Sequence, residues 1–248
     1  MKELEREKFY NINEIYEKLD KRVKKKKLED FFVENKISGK KIDDEWYGNA
    51  ECLEEIEEIL FREKAIMIDL LEMDLSTVEL TGRILDVGGG GEGIIGQLKG
   101  ANVVAIDRRA SELEEAAEGD YLKVIMDATD LKFLDNYFDT VTAFFCLMYV
   151  PPSDRKQIFR EIYRVLKKGG EFIIWDLIIP EKKNNNQDFY GIDLSINLGK
   201  TKIPTGYAIR WNREQNFDTY SKLGEGLGFK IREYKTEKNT FYIRFIKD

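Results

Sequence analysis

A glycine-rich segment, Asp86-Val87-Gly88-Gly89-Gly90-Gly91-Glu92-Gly93, is where residue types and spacing point most directly to chemistry. Glycine has no Cβ, so such a backbone can turn sharply and let a ligand approach main-chain atoms. The pattern Gly88-x-Gly90-x-x-Gly93 also matches the fingerprint of dinucleotide-binding turns. A tight turn without a ligand uses glycines in the same way, so this segment alone leaves the ligand open.

Two acidic residues near this turn indicate the charge of the ligand. Asp86 lies two positions before Gly88, where a carboxylate repels a pyrophosphate and favours a ligand with ammonium and sulfonium groups. S-adenosylmethionine has that charge pattern. Asp107 ends the next apolar run, where it can accept hydrogen bonds from both ribose hydroxyls, as it would also do in a dinucleotide enzyme. Asp107 therefore predicts a nucleoside, with an acid at a surface strand end as the alternative.

Short apolar runs, separated by helical segments, must position these residues. The first five runs are residues 83–87, 102–107, 122–126, 140–145 and 171–175. Continuous apolar strands that alternate with helices are typical of a parallel sheet covered on both faces. Residues 229–234 and 240–246 flank a polar turn and predict two antiparallel strands. The expected fold is α/β, a doubly wound, mostly parallel seven-stranded sheet with an antiparallel C-terminal strand pair.

Helical patterns fill the segments around these strands. Residues 1–80 carry apolar side chains at helical spacing and predict N-terminal helices, broken by a loop over residues 36–47. Ser111-Glu112-Leu113-Glu114 has the form of a helix capping box. Pro151-Pro152-Ser153 is typical of a helix start, and Lys167-Lys168-Gly169-Gly170 of the end of the same helix.

Several motifs in this order make residues 84–176 resemble the class I S-adenosylmethionine-dependent methyltransferase family. They are Ile84-Leu85-Asp86-Val87-Gly88-Gly89-Gly90, Ala105-Ile106-Asp107, Met126-Asp127-Ala128-Thr129-Asp130-Leu131-Lys132-Phe133, Phe138-Asp139-Thr140-Val141 with Leu147-Met148-Tyr149-Val150, and Arg164-Val165-Leu166-Lys167-Lys168-Gly169-Gly170. The resemblance implies a Rossmann-like fold and S-adenosylmethionine as the cofactor.

The resemblance also implies roles for individual residues. Gly88 and Gly90 would approach the methionine and ribose portions, and Asp107 the ribose diol. Asp127 would contact the adenine amino group, and Ala128 the ring through its main chain. The full set of expected cofactor-binding residues is Asp86, Gly88, Gly90, Asp107, Arg108, Asp127, Ala128 and Phe144.

Two departures from the family's pattern affect what is expected of the site. Glu92 stands where the family usually has a third glycine, and the glycine is displaced to Gly93. Met148-Tyr149 replaces a common histidine pair, which removes a frequent polar group on the acceptor side. No familiar substrate is therefore assumed.

The acceptor side is expected at the carboxyl ends of the later strands. A sulfonium methyl is already electrophilic, so the protein mainly has to hold a nucleophile in line and exclude water. Strand-end position puts Met148, Tyr149 and Asp176 near the methyl group. Tyr149 or Asp176 could orient or deprotonate an acceptor, and a structural role is equally open for each. The aromatic residues that could close the pocket, or belong to the core instead, are Trp46, Tyr47, Tyr207 and Trp211.

The remaining segments complete a predicted division into four parts. Residues 192–197 and 203–211 predict a hairpin turning at Leu198-Gly199-Lys200, and residues 213–227 predict a helix. The parts are an N-terminal helical cap (1–80), an S-adenosylmethionine-binding core (81–180), an inserted hairpin or lid (181–212), and a C-terminal helix and strand pair that complete the sheet (213–248).

Composition limits the chemistry and the partners. The net charge of −7 disfavours nucleic acid as a partner, because binding to phosphates depends on dense Lys and Arg. The absence of histidine removes His-based triads and His-ligated zinc, and Cys52 and Cys146 lack metal-ligand spacing, so no metal is expected. Two cysteines, charged first residues and the lack of a long apolar run predict a cytoplasmic protein without a membrane span. The oligomeric state stays open.

Three functions remain in competition on the sequence alone. The first is methyl transfer from S-adenosylmethionine to a small molecule. The second is a regulatory or scaffold protein that binds this cofactor without transferring its methyl group. The third is an NAD-dependent oxidoreductase that uses Gly88-x-Gly90-x-x-Gly93 for a pyrophosphate.

Overall fold

The computed structural model describes residues 10–11, 40–42, 45–48, 55, 58, 61–62, 64–183 and 186–248, and the chain divides into two compact units, residues 1–65 and 66–248. In the first unit, β1 (Tyr10–Asn11), β2 (Lys40–Ile42) and β3 (Glu45–Gly48) form an antiparallel sheet with β3 in the centre. The described residues between 55 and 64 are helical.

The prediction of helices over residues 1–80 is wrong at β1 and again at β4 (Ala65–Asp74), and β2 and most of β3 lie where the sequence predicts a loop over residues 36–47. Four apolar residues of β4 pack on the core of the second unit: Ile66, Ile68, Leu71 and Met73. Their spacing is compatible with a helix or with a strand, and β4 joins a sheet whose other strands lie more than a hundred positions further along the chain. Pairing with a distant strand overrides the local pattern.

The expected seven-stranded sheet is confirmed. Its strands are β5 (Ile84–Val87), β6 (Val103–Asp107), β7 (Leu122–Ile125), β8 (Phe138–Phe144), β9 (Leu166–Leu177), β12 (Phe229–Glu237) and β13 (Thr240–Lys247), in the order β12-β13-β9-β8-β5-β6-β7. Five neighbouring strands pair in parallel: β9, β8, β5, β6 and β7. β13 is antiparallel to both β9 and β12. The chain proceeds from β5 to β7 on one side and then returns to β8 on the other. The carboxyl ends of β5 and β8 therefore flank the switch in strand order, where ligands bind in such sheets.

The sheet has a core on each face, as its continuous apolar strands predict. Successive side chains of β9 alternate between the two cores, because neighbouring residues of a strand point to opposite faces. Ile173 and Trp175 belong to one core, and Phe172 and Ile174 to the other, all of them buried. This double covering fixes which side chains at the strand ends can reach the cleft.

The inserted hairpin is also confirmed. β10 (Phe189–Asn197) and β11 (Lys202–Arg210) pair antiparallel over their whole length, and the Leu198 amide donates to the Thr201 carbonyl at the turn. β10 lies between β11 and β4, and the three strands form a separate sheet. Within this sheet the hairpin pairs with β4 along β10, and β11 forms the edge.

The helices differ from expectation mainly at their ends. Those of the second unit are α1 (Ile94–Lys99), α2 (Ala110–Glu115), α3 (Pro152–Val165) and α4 (Phe217–Glu225). The capping box expected at Ser111 is wrong, because α2 begins directly after Arg109 and no side chain caps it. The helix start at Pro152 is as expected, but Leu166 already begins β9, so the Lys167-Gly170 segment lies in a strand. Among the described helices, none has the length and apolar character that a bilayer crossing requires.

Candidate functional site

The glycine-rich turn leaves the end of β5 and leads into α1. The amides of Gly88 and Gly89 both donate to the Ile106 carbonyl, at 2.8 and 3.0 Å, which ties the turn to β6. Gly88 has a φ of 71°, and a Cβ there would lie 2.5 Å from the Cβ of Cys146. Glycine is therefore required at position 88 by backbone conformation and by packing.

A cleft with two adjoining lobes opens beside this turn. Gly88, Asp107, Arg109, Cys146 and Tyr149 line both lobes. The lobe next to β6, called here the β6 lobe, is completed mainly by Ile106, Arg108, Met126, Asp127, Ala128, Thr129 and Ile158. The other, called the acidic lobe, is completed mainly by Asp86, Gly90, Glu92, Glu112, Glu115, Phe144, Phe145, Gly206 and Tyr207. The predicted residues Asp86 and Asp107 thus share one cleft.

Asp86 is almost fully buried at the floor of the acidic lobe. Its Oδ1 accepts a hydrogen bond of 2.7 Å from the Thr142 hydroxyl on β8. Burial raises the pKa of Asp86 to about 7, although the bond from Thr142 opposes the rise. The carboxyl is therefore poised to ionise when a positive group lies beside it.

Asp107 ends β6, Asp127 follows the neighbouring strand β7, and both line the β6 lobe. Asp107 Oδ1 accepts from the Arg109 amide at 2.9 Å, which shapes the entry into α2. Asp127 Oδ1 accepts from the Thr129 amide at 2.8 Å and from its hydroxyl at 2.7 Å. These bonds lower the pKa of Asp127. Both carboxylates are held by their own loops in positions that face a common space.

Asp176 lies beneath the turn that carries Tyr149 and has no exposed surface. Its oxygens accept from the amides of Met148 (3.1 Å) and Leu177 (2.7 Å) and from the Gln215 side chain (3.0 Å). Burial raises the pKa of Asp176 to about 7 against these three bonds. The expectation that Asp176 acts on an acceptor is corrected, since Asp176 is fully buried and lines neither lobe, and its bond to the Met148 amide holds the turn.

Tyr149 extends from this turn into both lobes. The backbone of the preceding residue is held at both of its polar groups, because Asp176 accepts from the Met148 amide and Arg213 donates to the Met148 carbonyl at 3.0 Å. Burial of the hydroxyl, and next the charge of Asp176, raise the pKa of Tyr149, so this phenol is a hydrogen-bond donor and a poor base.

Of the expected pocket residues in the second unit, Tyr207 lines the cleft, whereas Met148 and Trp211 do not. Met148 is fully buried in the core and Trp211 is 5% exposed, with its Nε1 donating to the Pro180 carbonyl at 2.7 Å. The expectation that these two side chains line the acceptor pocket is corrected, because both are buried in the core. Trp46 and Tyr47 lie in β3 of the first unit, and the Trp46 side chain is outside the described residues.

Glu92 is one of the cleft residues that the sequence did not single out as functional. Its carboxylate accepts from the Thr205 hydroxyl and, at 2.9 Å, from the Tyr207 hydroxyl. The signal was visible as a departure from the third-glycine pattern, but its partners on β11 are more than a hundred residues away. Cys146 was also missed, and its Sγ donates to the Val87 carbonyl at 2.9 Å.

The charges of the cleft select among ligands. The acidic lobe is lined by five carboxyl residues, and its one arginine, Arg109, is paired with Glu112 at 2.6 Å. Such a lobe repels a pyrophosphate and attracts a cation. Among the described residues, no cluster of acidic or cysteine side chains could hold a metal ion.

Comparisons with known proteins agree with this geometry. A family model described as a methyltransferase domain matches residues 85–174. The chain is 31% identical over 183 residues to a ubiquinone/menaquinone biosynthesis C-methyltransferase of Idiomarina loihiensis, covering 66% of this chain and 72% of that protein. It is 34% identical over 129 residues to a sterol 24-C-methyltransferase of Aspergillus fumigatus, covering 47% of this chain and 34% of that protein. The chain therefore spans only about a third of the sterol enzyme.

A solved structure shows the same fold. An S-adenosylmethionine-dependent methyltransferase from Methanosarcina mazei superposes with a TM-score of 0.51 at 17% identity, covering 68% of this chain and 94% of that one. At this identity the likeness concerns the fold alone.

Proposed function

We propose that this chain, which belongs to the class I S-adenosylmethionine-dependent methyltransferase family, transfers the methyl group of that cofactor to a small molecule with an apolar or aromatic face. The observation that carries the proposal is the shared cleft of Asp86 and Asp107 beside a glycine turn that admits a ligand to its backbone. The acidic lining supports a cationic cofactor over NAD, because it repels phosphate.

The residues of the cleft fit the two halves of the cofactor. In the β6 lobe, Asp107 would accept from the ribose hydroxyls, and Asp127 and Ala128 would contact the adenine. In the acidic lobe, Asp86 and Phe144 would lie beside the methionine portion. The complete proposed set is Asp86, Gly88, Gly90, Asp107, Arg108, Asp127, Ala128 and Phe144, all of which line one lobe or the other.

When bound, S-adenosylmethionine supplies a methyl group that is already electrophilic. The protein's part is to hold the acceptor in line and keep water out. Tyr149, held rigidly by Asp176 and Arg213 through the Met148 peptide, would donate a hydrogen bond to the acceptor and orient it. An acceptor that loses a proton on methylation would pass it to bulk solvent, because the raised pKa of Tyr149 and the burial of Asp176 suit neither group to act as a base.

An apolar or aromatic acceptor is supported by the wall on the hairpin side of the cleft. The ring of Tyr207 stacks on Phe145 with centroids 5.1 Å apart and lies 6.4 Å from Phe144. Flat apolar surfaces pack well against such a wall. The names of the relatives point the same way, since they describe methyl transfer to carbon in quinone biosynthesis and on sterols.

We also propose a cytoplasmic location. A partner other than nucleic acid is proposed as well, because a net charge of −7 opposes binding to phosphate backbones. Within the chain, residues 81–180 would bind the cofactor, the hairpin segment 181–212 would cover it, and residues 213–248 would complete the sheet. The segment before residue 66 is proposed as a separate N-terminal part, built partly from strands.

Thermal unfolding with added ligands tests the proposal. S-adenosylmethionine and S-adenosylhomocysteine at about 100 times Kd should each stabilise the folded state by about 2.7 kcal/mol, because they bind only that state. NAD should leave Tm unchanged. A shift with NAD alone would overturn the cofactor assignment. Binding without formation of S-adenosylhomocysteine over a panel of quinols, phenols and sterols would favour a scaffold role.

A further inference from the structure

Glu92 joins two parts of the second unit that are far apart in sequence. It lies on the glycine-rich turn, and both of its carboxylate oxygens are occupied by hydroxyls of β11: Thr205 donates to Oε1 and Tyr207 to Oε2. Thr205 and Tyr207 are two positions apart on one strand, so their side chains project from the same face of the hairpin. Gly206 between them lines the acidic lobe.

The contact fixes an aromatic side chain in the wall of the cleft. The ring of Tyr207 stacks on Phe145 at an interplanar angle of 10°, and the bond to Glu92 holds the outer end of the same ring. Burial, and next the charge of Glu92, raise the pKa of Tyr207. The phenol therefore keeps its proton and donates to Glu92 at all physiological pH values.

The hairpin packs on the core of the second unit through buried residues such as Ile192, Leu194 and Ile209, and Glu92 adds the contact with the glycine-rich turn. β11 is at the edge of its three-stranded sheet, with β10 as its only neighbour there. The Lys202–Glu72 ion pair, at 3.5 Å, connects β11 to β4 but is mostly exposed on both sides. Exposed pairs of this kind contribute little. The carboxylate of Glu92 is the stronger restraint, since hydrogen bonds to charged groups are the stronger ones.

We propose that Glu92 is a positioning residue that closes β11 over the acidic lobe and so slows the release of S-adenosylmethionine and S-adenosylhomocysteine. The inference rests on the proposed function, because the acidic lobe is where the methionine portion would lie. Glu92 acts through Thr205 and Tyr207, which wall off the lobe from water on the hairpin side. Changes in such a wall act mainly on the dissociation rate.

Three variants test this: Glu92→Gln, Thr205→Val and Tyr207→Phe. Tyr207→Phe keeps the ring stacked on Phe145 and removes only the hydroxyl. Each should speed dissociation of S-adenosylhomocysteine, followed by stopped-flow displacement, roughly ten-fold, the effect expected for one lost bond to a charged group. Hydrogen exchange of β11 amides in the ligand-free protein should also become faster. The matched control Glu72→Gln, which removes the exposed pair on the same hairpin, should change neither rate.

The double variant Glu92→Gln/Tyr207→Phe shows whether the two residues affect ligand release through their shared hydrogen bond or independently of each other. If Glu92 acts through Tyr207, the double variant should release S-adenosylhomocysteine about as fast as the faster single variant. Fully multiplied effects, or variants that release the ligand as slowly as the unaltered protein, would overturn the inference and leave the proposed function standing. Failure of the unaltered protein to bind S-adenosylhomocysteine would overturn both. If Glu92→Gln does not fold, Thr205→Val and Tyr207→Phe carry the test.

Discussion

At the scale of single residues, the sequence is sufficient to predict that two carboxylates beside the glycine turn face one ligand. Asp86 and Asp107 were predicted to face one ligand, and they line one cleft. The role of Asp176 could not be derived, because its burial depends on Gln215 and on the turn at Met148, which only the folded chain brings together. Glu92 was visible as an anomaly, yet the hydroxyls that explain it belong to a distant hairpin.

Substituting Asp107 tests the ribose contact. Asp107→Ala should weaken binding of S-adenosylhomocysteine roughly ten- to hundred-fold, since charge-assisted hydrogen bonds are lost. Asp107→Asn is the matched control for the loop, because its amide oxygen can still accept from the Arg109 amide. Isothermal titration calorimetry gives both affinities. Equal binding by the alanine variant and the unaltered protein would remove Asp107 from the site.

The raised pKa of Asp86 predicts a pH dependence of cofactor binding. A cationic ligand favours the ionised carboxylate, so affinity for S-adenosylmethionine should be higher at pH 8 than at pH 6 and should fall as pH drops through about 7. Binding near pH 7 should release part of a proton, which titration in buffers of different ionisation enthalpy detects. Asp86→Asn should abolish this dependence. A slope that persists in the variant would assign it to another group.

At the scale of elements, continuous apolar runs were sufficient to predict the sheet, because strands covered on both faces have little room for polar residues. The helical assignment of β4 was wrong, since pairing with β10 decides its conformation and that partner cannot be read from a local window. Helix ends also differ from the prediction. A side-chain cap is present at α4, where Asn216 and Thr219 hydrogen-bond reciprocally, and is absent at Ser111.

The turn under Tyr149 should depend on Asp176 for stability. Its folded pKa of about 7 exceeds the ordinary value of 3.8, so its contribution is fully present below pH 3.8 and is lost as pH rises through about 7. Asp176→Asn stays neutral, so its free energy of unfolding relative to the unaltered protein should improve as pH rises from 4 to 7, by up to about 1.4 kcal/mol per pH unit. Urea unfolding at several pH values measures this. A pH-independent difference would mean that the carboxyl is ionised throughout.

At the scale of the whole molecule, the described lining of both lobes lies within residues 66–248. Both cores of the seven-stranded sheet are also contained there. The sequence predicts a boundary near residue 80, because apolar residues at helical spacing give way there to short apolar runs. Adding β4 to the core moves the boundary to the region before residue 66.

A shortened chain tests this division. Residues 64–248 should fold cooperatively and bind S-adenosylhomocysteine within about two-fold of the full chain, because no described cleft residue is removed. Circular dichroism and calorimetry measure the two properties. A shortened chain that folds but binds much more weakly would assign part of the cofactor site to the first 63 residues.

The position of β13 has a consequence for biosynthesis. This strand lies between β9 and β12, and Lys247 near its end donates to the carbonyls of Tyr163 and Leu166 where α3 meets β9. A nascent polypeptide halted on the ribosome before residue 240 would leave the side of β9 without its neighbour, and unpaired strand edges recruit other chains. Translation pauses in the final codons for this segment should therefore be costly, and chaperone capture should concentrate on chains of that length.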